Sequence, residues 1–165
     1  MTVSIESWEK LAKALQKEAT IMGYRNTAKN LSDLYLEDLA VIKQNRIGDI
    51  ITFGGLWSTT EEKCLEAGSF WVHPEYRNKK HSSWMFQRLS EKIPTGYLAM
   101  CITHVDKVAH LVIKSGWSES SKENWHSAVP FAASCGPCDV VADNEKMTCP
   151  HMATKSLCRM FYKIG

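Results

Sequence analysis

Val72-His-Pro-Glu-Tyr-Arg-Asn-Lys-Lys-His-Ser-Ser-Trp-Met-Phe86 is the stretch on which the reading turns. Before it, Cys64 to Val72 is a strand pattern that Pro74 ends. After it, His81 to Lys92 carries Met85, Phe86 and Leu89 at helical spacing until Pro94 stops the run. A strand, a short basic loop and a helix therefore follow one another with no room for anything else.

Working outward, the order of elements becomes an α/β plan. Toward the N-terminus, Trp8, Leu11, Ala12 and Leu15 share one helical face, with Ser7 as the expected N-cap. A second short helix is expected over Asn26 to Tyr35, with Leu31, Leu34 and Tyr35 inward. Leu39 to Lys43 and Ile50 to Trp57 read as strands joined through a turn at Asn45 to Asp49, and with Cys64 to Val72 they predict an antiparallel meander. Gly68 interrupts the third strand and predicts a bulge or a close backbone approach.

Toward the C-terminus, Gly96 to Thr103 is a nearly continuous apolar strand of the kind buried on both faces. Val105 to Ser115 is helical through Val108, Leu111 and Val112, and Gly116 ends it. The pattern then weakens until a strand-like Leu157 to Ile164. One domain spanning 1–165 is expected, with a Cys-rich segment at about 131–159 and one parallel strand pair at the centre of the sheet.

Bulk properties exclude some classes. A balance of +2 is too small to draw nucleic acid or membrane by net attraction, and no apolar run approaches the roughly 18 residues of a membrane span. Met1 to Lys10 lacks the basic start and apolar stretch of a signal peptide, so a cytoplasmic protein is expected. Nothing in the residues chooses between a monomer and a homodimer.

The Val-x-Pro-Glu-Tyr-Arg run with the loop behind it resembles the acyl-CoA-binding motif of the GNAT superfamily of N-acetyltransferases, whose core is Arg/Gln-x-x-Gly-x-Gly/Ala. Arg77 stands at the first motif position, and Lys114-Ser-Gly-Trp117 looks like the family's Lys-x-Gly-Phe signature. The resemblance covers roughly Leu39 to Trp117. It implies a GNAT fold: a mixed, mostly antiparallel sheet with one parallel pair splayed to admit acyl-CoA, flanked by helices. It implies acetyl-CoA as co-substrate and a primary amine as acceptor.

It also implies a site. In such a motif the unpaired amides of a helix N-terminus converge where the dipole favours an anion, in the family the pyrophosphate of coenzyme A. By position the loop residues are Arg77, Asn78, Lys79, Lys80, His81, Ser82 and Ser83, and the pantetheine arm would pair with backbone near Phe70, Trp71 and Val72. The family's first glycine falls on Lys80 and its second on Ser82. Either Lys80 turns outward and adds charge to the phosphate site, or the loop no longer admits CoA, and the chain is then a catalytically degenerate binding module.

Acetyl transfer to an amine needs a base for the ammonium proton and often an acid for the departing thiolate. Glu66, eleven residues before Arg77, fits the family's base position, and a carboxylate in an apolar strand is in the setting that tunes such groups. Its plain alternative is an outward-facing strand residue. The family's tyrosine acid would fall near Val112, and Tyr97, His104 or His110 would have to substitute.

Four of the six cysteines lie at or beyond Cys135. Cys135-Gly-Pro-Cys138 with Cys149 and Cys158, or His151 in place of one of these, has the ingredients of a structural zinc site. Free thiols are the equal alternative and a redox pair the third, although Asp139 to Asn144 does not read as the long helix a thioredoxin motif opens.

Overall fold

The computed structural model of the chain describes residues 3–18, 26–59, 61–103, 105–120 and 159–165. In chain order these form α1 (Ile5–Glu18), α2 (Ala28–Leu36), β1 (Ala40–Gln44), β2 (Ile50–Ser58), β3 (Cys64–Val72), a 3-10 turn (Pro74–Tyr76), α3 (His81–Glu91), β4 (Leu98–Thr103), α4 (Asp106–Lys114), β5 (Ser118–Ser120) and β6 (Arg159–Ile164). The strands follow one another in the order β1-β2-β3-β4-β6-β5, a mixed sheet with helices against it. β3 and β4 are parallel, whereas β1–β2, β4–β6 and β5–β6 are antiparallel. The expected α/β plan with one central parallel pair is what the chain adopts.

Two compact units divide the chain, Met1–Trp57 with Ala67–Ile93, and Ser58–Glu66 with Pro94–Gly165. The first is built on the faces of β2. Trp8, Leu11 and Leu15 of α1 and Leu31 and Leu34 of α2 bury against Phe53, Trp57 and Trp71. The Trp8 ring lies 5.8 Å from Tyr35 and meets Phe53 edge-on at 6.2 Å. The opposite face takes α3, whose Phe86 lies 4.4 Å from the Phe70 ring. Two glycines let β2 pass between these layers: a Cβ at Gly54 would come within 3.0 Å of Met85, and one at Gly55 within 3.0 Å of Leu34.

In the second unit Cys64, Met100 and Met160 form a small core with Leu98, Ile102 and Tyr162 packed on it. Ala109 and Val112 of α4 are buried as the helical spacing requires. The β3–β4 ladder holds three pairs, Cys64↔Leu98, Leu65↔Ala99 and Glu66↔Met100, and both strands run on beyond it.

The structure corrects three local readings. Ser4 rather than Ser7 caps α1: its Oγ accepts from the Ser7 N–H at 3.2 Å, while Ser7 is buried and donates to the Gly48 carbonyl at 3.2 Å. The irregularity in β3 sits at Ser69 (φ +56°), not Gly68. The Ser69 hydroxyl donates to Asn26 Oδ1 at 2.6 Å, a bond to a buried partner that offsets a left-handed backbone costing about 1 kcal/mol or more. Finally, β5 is a polar triplet with no apolar signal, a strand only through its pairing with β6.

Candidate functional site

Local chemistry shapes the segment between β3 and α3 residue by residue. The His73 N–H donates to the Ile51 carbonyl at 2.9 Å and its Nδ1 accepts from the Glu75 N–H at 3.3 Å, so the chain turns at Pro74 where the ring already fixes φ. Trp71, His73, Tyr76 and His81 then meet edge to face in series, with ring centroids 5.6, 5.7 and 5.9 Å apart. Such contacts stiffen a loop that has little else to pack on.

Arg77 closes it from outside. Its Nε donates to the Val72 carbonyl at 3.0 Å, and its terminal nitrogen reaches both carboxylate oxygens of Glu18 at 3.1 and 3.0 Å. Trp71 Nε1 donates to the same carboxylate at 3.4 Å. The Arg77 N–H is also taken, by the Pro74 carbonyl at 3.2 Å. Arg77 is thus a brace between α1 and the loop, with its guanidinium engaged by a carboxylate.

Lys80 is the pivotal position. It adopts φ +62°, ψ +9° as the residue before α3, the left-handed conformation that glycine enters without steric cost. Asn78 is left-handed as well, at φ +65°. The loop therefore keeps a glycine-type backbone although the residue is lysine, and the Lys80 side chain is exposed. No side chain caps α3. The first intrahelical bond runs from the Trp84 N–H to the Lys80 carbonyl at 3.1 Å, so the amides of His81, Ser82 and Ser83 precede the ladder at the positive end of an eleven-residue helix. Unpaired amides at a helix N-terminus are groups that could receive an anion.

The remaining predicted residues separate. The Phe70 side chain lies against Phe86 and that of Trp71 packs in the α1 core. Val72 is half-buried, and one lone pair of its carbonyl is used by Arg77. Glu66 is half-buried at the last rung of the parallel ladder. Tyr97 precedes β4 at the other end of that ladder, its carbonyl accepting from the Gly165 N–H at 3.0 Å. Three residues of strand separate it from Met100, the partner of Glu66, which is roughly 10 Å at 3.3 Å per residue. The ladder does not bring Tyr97 to Glu66. His110 is exposed on α4, and Val112, where the tyrosine would fall, is fully buried. His104, Cys135, Cys138, Cys149, His151 and Cys158 lie outside the described residues. Among those described, no group of three or more His, Cys, Asp or Glu could hold a metal ion.

Two thiols stand near Glu66. Burial pushes the Cys101 thiol above the ordinary range, and the Glu66 charge adds to it. Burial likewise raises Cys64. Both stay protonated at neutral pH, which makes them poor nucleophiles. On the loop, burial and then the fields of Lys43 and Lys79 lower His81 below the usual imidazole value. A cavity of about 560 Å³ opens between α1 and the loop, with Lys10, Glu18, Trp71, His73 and Tyr76 in its wall.

Residue spacing missed Glu18, Asn26 and Ser69. The Arg77–Glu18 pair spans 59 residues of chain, and no local pattern announces it. The polar Ser69 beside Gly68 in an apolar strand was the available signal for the other two.

No protein-family model matches the chain, and no curated protein matches it in sequence. Solved structures do match its fold. A phosphinothricin acetyltransferase of the GNAT superfamily from Sinorhizobium meliloti, in complex with acetyl-CoA, superposes with a TM-score of 0.57 at 13% identity over 73% of this chain and 75% of its own. An acetyltransferase of the GNAT family from Staphylococcus aureus gives 0.53 at 15% identity over 96% and 91%. N-acetylglutamate synthase from Neisseria gonorrhoeae, complexed with coenzyme A and N-acetylglutamate, gives 0.60 at 11% identity, covering 99% of this chain but 33% of the larger enzyme. Strand order, the single parallel pair and these superpositions agree, and the chain has the GNAT fold in a form far diverged in sequence from its structural neighbours.

Proposed function

We propose that the chain is an acyl-CoA-dependent N-acetyltransferase that moves an acetyl group from acetyl-CoA to a primary amine. The observation that carries this is the uncapped N-terminus of α3 behind a loop whose Lys80 holds the left-handed backbone of a glycine. Anions favour that position by about 0.3–1 kcal/mol for one exposed charge and by more for a multiply charged diphosphate gripped by amides. The exposed Lys80 makes no capping hydrogen bond and adds a positive charge at this helix end. Pantetheine would extend from this point along the backbone of Phe70 to Val72.

In the transfer step the amine nitrogen attacks the thioester carbonyl, the C–N bond forms and the C–S bond breaks. Glu66, directly or through water, would take the proton lost from nitrogen, and the leaving thiolate would take one from water. Direct transfer is favoured over a cysteine relay because burial keeps Cys64 and Cys101 protonated.

Acetyl-CoA should raise the melting temperature by mass action and give a measurable heat of binding, and a panel of primary amines should then release free CoA. Absence of both shift and heat at millimolar acetyl-CoA would sink this reading. Binding without turnover on any amine would leave a second reading, a degenerate GNAT-fold binding module. The buried Val112 where a tyrosine acid would stand favours that reading.

For the Cys-rich segment the proposal is structural zinc on Cys135, Cys138, Cys149 and Cys158, with His151 as the alternative ligand. Purified protein should carry about one zinc ion per chain, removed by a strong chelator with uptake of protons by the freed thiolates. Metal-free protein with freely titrating thiols would refute the site, and a disulfide in freshly isolated protein would replace it with redox chemistry.

A further inference from the structure

Beside the first turn of α3, on the side of the β1–β2 turn, lies a concavity of about 500 Å³. Lys43, Gln44, Arg46, Tyr76 and His81 are among its polar lining, and no carboxylate lines it among the described residues. The hairpin brings the first three there: Asn45 Oδ1 accepts from the Ile47 and Asp49 N–H groups at 3.1 and 2.9 Å, which folds the turn tightly and projects Arg46 into solvent.

The charge around this pocket is unanswered. Elsewhere in the same unit, Lys10 pairs with Glu6 and Asp49, Lys29 with Asp33, Arg77 with Glu18, Arg88 with Glu91 and Lys92 with Asp38. Lys43 instead lies over the Trp84 ring at 5.5 Å and Lys79 over the Tyr76 ring at 5.2 Å. Among the described residues, neither these two nor Arg46 and Lys80 has a carboxylate partner. Burial first, and then the charges of Lys43 and Lys79, lower the His81 pKa, so those two lysines lie close enough for their fields to reach the imidazole. A surface that gathers uncompensated cations around one concavity lowers its own energy by binding an anion.

We propose that this pocket is a second anion site, beside the α3 amides, that takes a phosphate monoester. A dianion suits several unpaired cations better than a carboxylate does, and Arg46 offers the planar fork that grips phosphate oxygens in pairs. Two sources carry this chemistry: the 3′-phosphate of the same CoA that the α3 amides would hold, or a phosphate on a separate molecule. The first source rests on the acyl-CoA reading, and the second does not.

The test uses the full chain and a Lys43→Gln/Arg46→Gln variant, both positions being exposed, with an unchanged melting temperature as the check on folding. Calorimetry compares CoA with dephospho-CoA, and inorganic phosphate is titrated while the His81 imidazole proton is followed by NMR. Wild type should bind CoA roughly tenfold or more tightly than dephospho-CoA, and the variant should bind the two alike, as expected for losing charge-assisted hydrogen bonds. Equal binding of the two forms, with a phosphate-dependent His81 shift in wild type that the variant lacks, supports the pocket and assigns it to a separate phosphorylated molecule. Equal binding with no phosphate-dependent shift overturns the proposal. If neither CoA form binds, the acyl-CoA reading fails, and the phosphate titration alone decides the pocket.

Discussion

Ser82→Asp should stabilise the protein and cost it most of its affinity for acetyl-CoA. Ser82 lies in the first turn of α3, whose amides have no intrahelical or side-chain acceptor. A carboxylate there gains about 0.3–1 kcal/mol from the helix dipole, which raises the melting point by a few degrees at most. The same carboxylate lies where a diphosphate would sit. Two unit charges about 5 Å apart repel by roughly 3 kcal/mol at an effective dielectric of 20, so affinity should fall on the order of 100-fold. Ser82→Asn, neutral and similar in size to Asp, should hold affinity within about threefold, because what is tested is charge. Stability and affinity moving in opposite directions is the signature of an anion site. Unchanged acetyl-CoA affinity in the Asp variant would place the nucleotide elsewhere.

Glu66→Gln should lower turnover by roughly 100-fold or more while leaving acetyl-CoA affinity nearly intact, since a general base contributes about 10²–10⁴ and the substitution removes only basicity. Glu66 is half-buried on the last rung of the β3–β4 ladder, and its charge reaches the buried thiols of Cys64 and Cys101. The variant should also lose the acidic limb of the kcat/KM profile, a readout that mere loosening of the strand would not move. Turnover within a few-fold of wild type would return Glu66 to the standing of an ordinary strand residue.

What the residues disclosed in advance follows the range of the forces involved. The bounds of β3 and the start of α3 were legible because Pro74, the apolar strand before it and the Met85-Phe86-Leu89 spacing are local signals, and the structure keeps them. Two near misses were local too. Ser7 and Ser4 are both competent caps three residues apart, and burial of Ser7 decides between them. Gly68 stood out by its residue type, whereas the left-handed backbone falls on Ser69, whose hydroxyl bonds to Asn26, 43 residues away. The site was harder to read for the same reason. The basic loop was visible, but Glu18 at the end of α1 claims the Arg77 guanidinium, and the β1–β2 turn carries Lys43 and Arg46 to the mouth of α3. Lys80 left two alternatives open, an outward side chain or a blocked loop; its backbone takes the glycine conformation and the residue is exposed.

The central claim is that the first-turn amides of α3 hold the diphosphate of an acyl-CoA. Titrating the isotope-labelled chain with CoA and following backbone amides by NMR tests it directly. The His81, Ser82 and Ser83 amides should show the largest downfield shifts, as direct donors to phosphate oxygens, with smaller changes at Phe70 to Val72. Unmoved resonances at these three amides under saturating CoA, or shifts confined to another part of the chain, would contradict the account.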